Sequence, residues 1–253
     1  MTPAPLVLLH GLTDSSACWP TVLPRYSGGG RAVVALDARG HGGSPLPDEP
    51  FTIAALAADV AEALRALDLG PALLVGHSMG GVTAEELALA APELVAALVL
   101  EDPAWRAAGD AGAGTGGVPE WLAPALAAVR GRSVAEIAAR GRAENPGWSD
   151  AELRGWADAK SRVDPRLPDV PHDWLGRDWV EALADVRVPV TLLTAEPGRG
   201  VVTPAQAARA GELLGDRLTH VAVPGVGHNI RREDPDGYLA ALDAAVARAD
   251  AAR

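Results

Sequence analysis

The segment Gly76-His77-Ser78-Met79-Gly80-Gly81 carries the most specific chemistry in this sequence. It fits Gly-x-Ser-x-Gly and stands between the apolar run Ala72-Leu73-Leu74-Val75 and a helical pattern from Val82 to Ala91. A serine in that setting sits on a very tight strand-to-helix turn. Glycines on either side let strand and helix pack closely, and the hydroxyl is lifted to the C-terminal edge of the sheet. The next helix points its N-terminus at the same place, so the free N–H of Met79 is set to stabilise an oxyanion. The chemistry this predicts is attack of Ser78 on an acyl carbonyl. A Gly-rich turn with an incidental serine is the plainer alternative; the strand before it and the helix after it weigh against that.

The elements that must hold this serine recur along the chain. Apolar runs of strand length stand at Leu6–Leu9, Ala32–Leu36, Ala72–Val75, Leu98–Leu100, Val188–Leu193 and Leu218–Val223. They are nearly continuous rather than alternating, which marks parallel strands buried on both faces. Helical patterns lie between them: Ile53 to Leu67 with Thr52 as N-cap, Val82 to Ala91, Pro204 to Leu214 after a Thr203-Pro204 start, and about Asp236 to Ala252. Repeated strand-then-helix order predicts an α/β fold with a doubly wound, mostly parallel sheet. Residues 104–185 break the rhythm. They hold helical patterns near Val118–Val129, Ser133–Arg142, Ser149–Lys160 and Asp173–Ala184, with Gly- and Pro-rich separators such as Gly109 to Gly117. This predicts a helical insertion after the fourth strand, with residues 1–103 and 186–253 forming the core.

Bulk properties narrow the partners. In 253 residues, 48% are hydrophobic and 22% charged, enough for one large domain with a buried core. A net charge of -11 repels phosphate backbones and anionic lipid, so neither nucleic acid nor a membrane surface is expected. Cys18 is the single cysteine, which excludes an intrachain disulfide and a thiolate metal cluster. Met1 to Pro5 show no basic leader, and no run reaches the roughly 18 apolar residues of a membrane span. A cytoplasmic protein is expected. No His, Cys and carboxylate cluster has metal spacing, and Gly28-Gly29-Gly30 precedes a strand, so it reads as a turn rather than a phosphate loop.

The strand ends carry further landmarks: His10-Gly11-Leu12 after the first, Asp37-Ala38-Arg39-Gly40-His41-Gly42-Gly43-Ser44 after the second, and Gly225-Val226-Gly227-His228-Asn229 after the last. With the Ser78 segment, in this order, they resemble the α/β-hydrolase family over essentially the whole chain. The resemblance implies that the insertion is a cap domain, that no cofactor is needed, and that the backbone N–H of Leu12 joins that of Met79 in an oxyanion hole. It also implies that His228 is the general base, a side chain that titrates near neutral pH and so can take and return the serine proton. Of the other histidines, His10 and His41 match structural or site-lining positions. His77, next to the nucleophile, is expected to point its side chain away from it, His172 to lie in the cap or on the surface, and His220 on a strand. Asp37 and Arg39 are expected to brace the loop after the second strand, and Asp14 to sit near the oxyanion loop. One departure is that relatives open with two antiparallel strands, whereas this chain begins almost at the strand before His10.

The acid that orients His228 has two candidates. In this family it usually follows the strand Val188–Leu193, but aligning back from Val202-Thr203-Pro204 puts Arg199 at that position, and a cation cannot serve. Glu196 lies in the same loop but early. Asp102 ends the fourth strand, where a minority of the family, including haloalkane dehalogenases and zearalenone-type lactonases, take their acid. Asp102 is preferred and Glu196 remains the alternative; the plainer reading of Asp102 is a turn residue before Pro103.

Trp105, Trp121, Trp148, Trp156, Trp174 and Trp179 all lie in the insertion or at its borders, while the chain holds 1 Phe and 2 Tyr. Any one of them is most simply cap core. Together they suggest an aromatic-lined substrate pocket between cap and sheet. The reaction expected is hydrolysis of an ester or lactone of an apolar or aromatic small molecule through an acyl-enzyme on Ser78. A serine at this position argues against the dehalogenases and epoxide hydrolases of the fold. The same residues also allow carbon–carbon bond hydrolysis, perhydrolysis or transacylation, a cofactor-free lyase or cyclase, or a small-molecule receptor with a vestigial triad.

Overall fold

The computed structural model describes residues 3–105, 117–174 and 177–251. Six parallel strands form the central sheet: β1 (Leu6–Leu9), β2 (Val33–Leu36), β4 (Ala72–His77), β5 (Val95–Glu101), β7 (Val190–Thr194) and β8 (Leu218–Ala222). Their spatial order is β2-β1-β4-β5-β7-β8. The chain therefore starts near one side, steps outward to β2, then crosses back over β1 to wind toward β8. Such a reversal opens a crevice at the C-terminal ends of the strands flanking it.

Alternation along the strands builds two cores. Val7, Leu9, Leu74, Leu98, Leu100, Val190 and Leu192 face one cluster, with α2 (Ile53–Ala66), α3 (Met79–Ala90) and α8 (Pro204–Leu214). Leu6, Leu8, Leu73, Val75, Ala97, Val99 and Leu193 face the other, with α1 (Val22–Tyr26) and α10 (Pro235–Ala251). Burial on both faces accounts for the unbroken apolar runs in the sequence. The expected starts are present: the Thr52 hydroxyl accepts from the Ala55 N–H, and Thr203 with Gln206 forms a reciprocal capping box ahead of Pro204. β2 is an edge strand and only half-buried.

Between β5 and β7 stand α4 (Leu122–Val129), α5 (Val134–Glu144) and α6 (Asp150–Ser161), close to three of the four helical patterns. The fourth differs. Instead of one helix over Asp173–Ala184, His172–Asp173 form a short strand, β6, beside β3 (Phe51–Thr52), and α7 covers only Trp179–Ala182. Phe51 is the cause: its ring lies 4.9 Å from that of His172 and 6.0 Å from that of Trp174, drawing this segment into extended pairing. Most of the Gly109–Gly117 separator lies outside the described residues. No helix among the described residues is long and apolar enough to cross a membrane.

Candidate active site

Ser78 holds φ +52°, a left-handed conformation unusual for a residue with a side chain. The turn is held from two directions. Its N–H donates to Glu101 O at 3.0 Å, and its carbonyl accepts from Gly81 N at 3.0 Å and Ala104 N at 3.1 Å. The glycines are steric requirements. A Cβ at Gly76 would come within 2.2 Å of Gly80 O, and one at Gly80 within 2.0 Å of Leu9 O. The helix after Ser78 begins at Met79, one turn earlier than its apolar pattern suggests, because Gly80 and Gly81 carry no pattern of their own.

Leu12 stands on the opposite wall. A Cβ at Gly11 would lie 3.3 Å from Ser78 Cβ, so the segment Gly11-Leu12 passes directly beside the serine. Met79 is the first residue of α3, and its N–H has no partner within the helix. Among the described residues, neither the Leu12 nor the Met79 N–H is spent on an internal backbone bond. His10 and His41 hold the scaffold of this loop: His10 Nε2 accepts from Ala38 N at 3.0 Å, and His41 Nε2 from Thr13 N at 3.1 Å. Burial holds the pKa of His41 down at about 3, with the charge of His10 adding to it, so its ring stays neutral and accepting. Asp37 accepts from Ser16 N and Gly43 N, and Arg39 makes a two-pronged pair with Asp59 at 2.7 Å.

His228 follows Gly225, which takes φ +78°, and Gly227, whose N–H donates to Glu233 Oε2 at 2.7 Å. Its Nδ1 lies 2.5 Å from Asp102 Oδ2. Asp102 is fully buried and itself takes φ +39°. Its two oxygens accept from Val201 N at 2.8 Å and Val202 N at 3.0 Å. The loop after β7 thus closes on this carboxylate with backbone donors. Gly200 permits this, since a Cβ there would lie 2.7 Å from Asp102 Oδ2. Glu196 is placed elsewhere: Oε2 accepts from Gly225 N at 2.8 Å, bracing the turn that leads to His228. Arg199 bonds the carbonyl of the same Gly225.

The His77 side chain lies against the His228 loop. Its ring centroid lies 4.6 Å from that of His228, and its Nε2 is 3.1 Å from His228 O. Burial holds its pKa well below the usual value, with Arg231 and His228 adding to the effect. A neutral ring donates Nε2–H to that carbonyl and supports the His228 loop from below.

Ser78 and His228 line one cavity of about 220 Å³, together with Gly11, Leu12, Trp121, Trp156, Lys160 and Arg232 among others. This corrects the six-tryptophan pocket. Trp121, 45% exposed, and Trp156 face the cavity. Trp105, Trp174 and Trp179 are buried in the apolar core, with their N–H groups bonded to Glu85, His172 and Trp174 O. Trp148 packs edge-on against Trp156 from behind, at 6.2 Å between centroids. An indole whose N–H is satisfied inside gains most from full burial, so Trp105, Trp174 and Trp179 became core.

Sequence reasoning missed a buried charge cluster beside the site. Arg231 pairs with Glu101 at 3.0 Å and Asp14 at 3.2 Å, and Arg232 with Asp14 at 2.9 Å and Glu152 at 3.4 Å. Lys160 reaches Asp14 at 3.5 Å. Burial alone would push the Asp14 carboxyl up, but Arg232, Lys160 and Arg231 hold it well below the usual range. Two adjacent arginines after the His228 loop and the chain's one lysine, Lys160, were the available signals. Among the described residues, no cluster of three or more His, Cys, Asp or Glu side chains is placed to hold a metal ion.

A family model described as the alpha/beta hydrolase family matches residues 6–241. The sn-1-specific diacylglycerol lipase of Xenopus laevis is 48% identical over 101 residues, 39% of this chain and 31% of its own. Lipase LipV of Mycobacterium tuberculosis is 41% identical over 105 residues, 40% of this chain and 38% of its own. The chain thus spans about a third of the length of these curated relatives. Among solved structures, E-2-(acetamidomethylene)succinate hydrolase is 26% identical with a TM-score of 0.72, over 97% of this chain and 91% of that one. A deformylase of Pseudomonas putida is 25% identical with a TM-score of 0.75, over 96% and 92%.

Proposed function

The chain belongs to the alpha/beta hydrolase family, and on that premise we propose that it is a serine hydrolase acting on an ester or lactone of a small apolar or aromatic molecule. The observation that carries this is that Ser78 and His228 share one cavity while His228 is held by a buried carboxylate, Asp102. With Nδ1 on Asp102, the Nε2 of His228 is left to take the proton of Ser78 as its Oγ attacks the carbonyl. The N–H groups of Leu12 and Met79 receive the charge that develops on the carbonyl oxygen. His228 then protonates the leaving alcohol, and water hydrolyses the acyl-enzyme by the reverse use of the same groups.

Trp121 and Trp156 supply the aromatic wall. A cavity of about 220 Å³ fits a short acyl group. Residues 104–185 act as the cap that covers it. Relatives named as lipases and as hydrolases of small acids support acyl chemistry without choosing its substrate.

The test is labelling of the folded protein by a serine-directed phosphonate. Stoichiometric modification of Ser78, lost in Ser78→Ala, is expected. A folded protein left unlabelled and inactive on p-nitrophenyl esters would sink the proposal.

A further inference from the structure

The oxyanion loop is anchored from outside the core. Lys160, near the end of α6 in the insertion, donates to Thr13 O at 3.0 Å and to the Thr13 hydroxyl, and reaches Asp14 Oδ1 at 3.5 Å. These acceptors match the three donors of an ammonium group. Thr13 follows Leu12 directly and takes φ +66°, so its peptide needs outside support to keep that conformation. His41 holds the Thr13 N–H at 3.1 Å, and Lys160 holds the carbonyl and hydroxyl.

The rest of α6 is built to deliver the lysine there. At Gly155 the helix lies so close to the core that a Cβ would come within 2.3 Å of Ala17 O, in the turn Ser16–Cys18 that follows the oxyanion loop. Trp156, one turn before Lys160, lies under its ammonium group at 5.4 Å from the ring centroid and faces the Ser78 cavity. Lys160 also lines that cavity.

We propose that Lys160 is a positioning residue that couples the seating of α6 to the geometry of the oxyanion hole, acting through Thr13 on the N–H of Leu12. The proposal rests on the serine-hydrolase reading above. When α6 is docked, the Gly11–Asp14 segment is clamped and the Leu12 donor is aimed; when α6 lifts, the clamp opens. Lys160 forms no bond to the substrate in this role. It affects the rate because a donor misplaced by a fraction of an ångström stabilises the transition state less while leaving ground-state binding nearly as it was.

The experiment compares wild type, Lys160→Met, Lys160→Arg and Gly155→Ala on a neutral p-nitrophenyl ester, with melting temperature recorded for each. The affinity of an arylboronic acid, whose tetrahedral adduct on serine carries the oxyanion, is measured alongside that of the hydrolysis product. Lys160→Met is expected to lower kcat by about 10- to 100-fold, move KM by less than about 3-fold, and weaken the boronate in step with kcat/KM. Product affinity should stay within about 2-fold. Lys160→Arg, which keeps the charge, should recover part of the loss. Gly155→Ala, which displaces α6 by a different route, should weaken the boronate as well.

A folded Lys160→Met with kcat within about 2-fold of wild type would overturn the inference, as would a kcat loss that leaves boronate affinity unchanged. If Lys160→Met does not fold, the Lys160→Arg and Gly155→Ala pair decides by the same two readouts. Failure of the wild type itself to bind boronate or turn over the ester condemns the hydrolase reading and is distinguishable from either result.

Discussion

His228 Nδ1 lies 2.5 Å from Asp102 Oδ2, while the N–H groups of Val201 and Val202 divide the two oxygens of that carboxylate between them. This carboxylate comes from the end of β5, and the loop after β7 contributes only backbone to it. A buried carboxylate with three donors is rigidly aimed, which is what holding an imidazole tautomer requires. Asp102→Asn is therefore expected to lower kcat by about 10,000-fold on a p-nitrophenyl ester. Glu196→Gln keeps an oxygen for Gly225 N and should stay within about 3-fold of wild type. Activity lost in the second variant and kept in the first would show the roles reversed.

Gly200 is a steric requirement of the same arrangement. A Cβ there would lie 2.7 Å from both Asp102 Oδ2 and the Ala195 side chain. Gly200→Ala is expected to push the loop off the carboxylate, lowering kcat about 100-fold and stability by about 1–3 kcal/mol. Wild-type kinetics in this variant would show that the loop backs away without moving Asp102.

Arg231 neutralises Glu101 and Asp14 in a place that is 1% exposed. Removing it strands the Glu101 carboxylate, while Asp14 keeps Arg232 and Lys160, so Arg231→Met should destabilise the fold by about 3–5 kcal/mol in urea unfolding. The loss should be larger at pH 7 than near pH 4.5. Burial raises the Glu101 pKa, and without its partner that group has more reason to protonate as the pH falls. A cost below about 1 kcal/mol at pH 7 would mean that water reaches the cluster.

Glu85 forms no ion pair among the described residues and is fully buried; burial pushes its pKa up to about 8, while the Trp105 N–H at 2.8 Å pulls the other way. A carboxyl raised in the folded state favours folding below the unfolded value of 4.5, and that contribution is lost as the pH climbs to about 8. Glu85→Gln is neutral at every pH. Relative to wild type it should gain stability progressively from pH 4.5 to about 8 and level off beyond, by on the order of 1–3 kcal/mol at pH 7. A pH-independent difference in melting temperature would show that Glu85 is not the group titrating.

The sequence by itself determined the sheet and the place of Ser78 on the tight turn after β4. Continuous apolar runs demand burial on both faces, and the glycines around Ser78 are a local steric necessity, so both are written in nearest neighbours. Landmarks around His10, Asp37 and His228 were legible because each stands at a strand end, where the backbone constraint is also local. Tertiary structure decided the rest. Asp102 and His228 are joined across 126 positions of sequence, and only strand order brings β5 beside the loop that ends in His228. The tryptophans divided between cavity and core by packing, with the N–H groups of Trp105, Trp174 and Trp179 bonded inside, which composition does not encode. The charge cluster and the reach of Lys160 onto Thr13 depend on where α6 docks, set by the close approach at Gly155. Periodicity specifies which face of an element is buried; it does not specify what that face will meet.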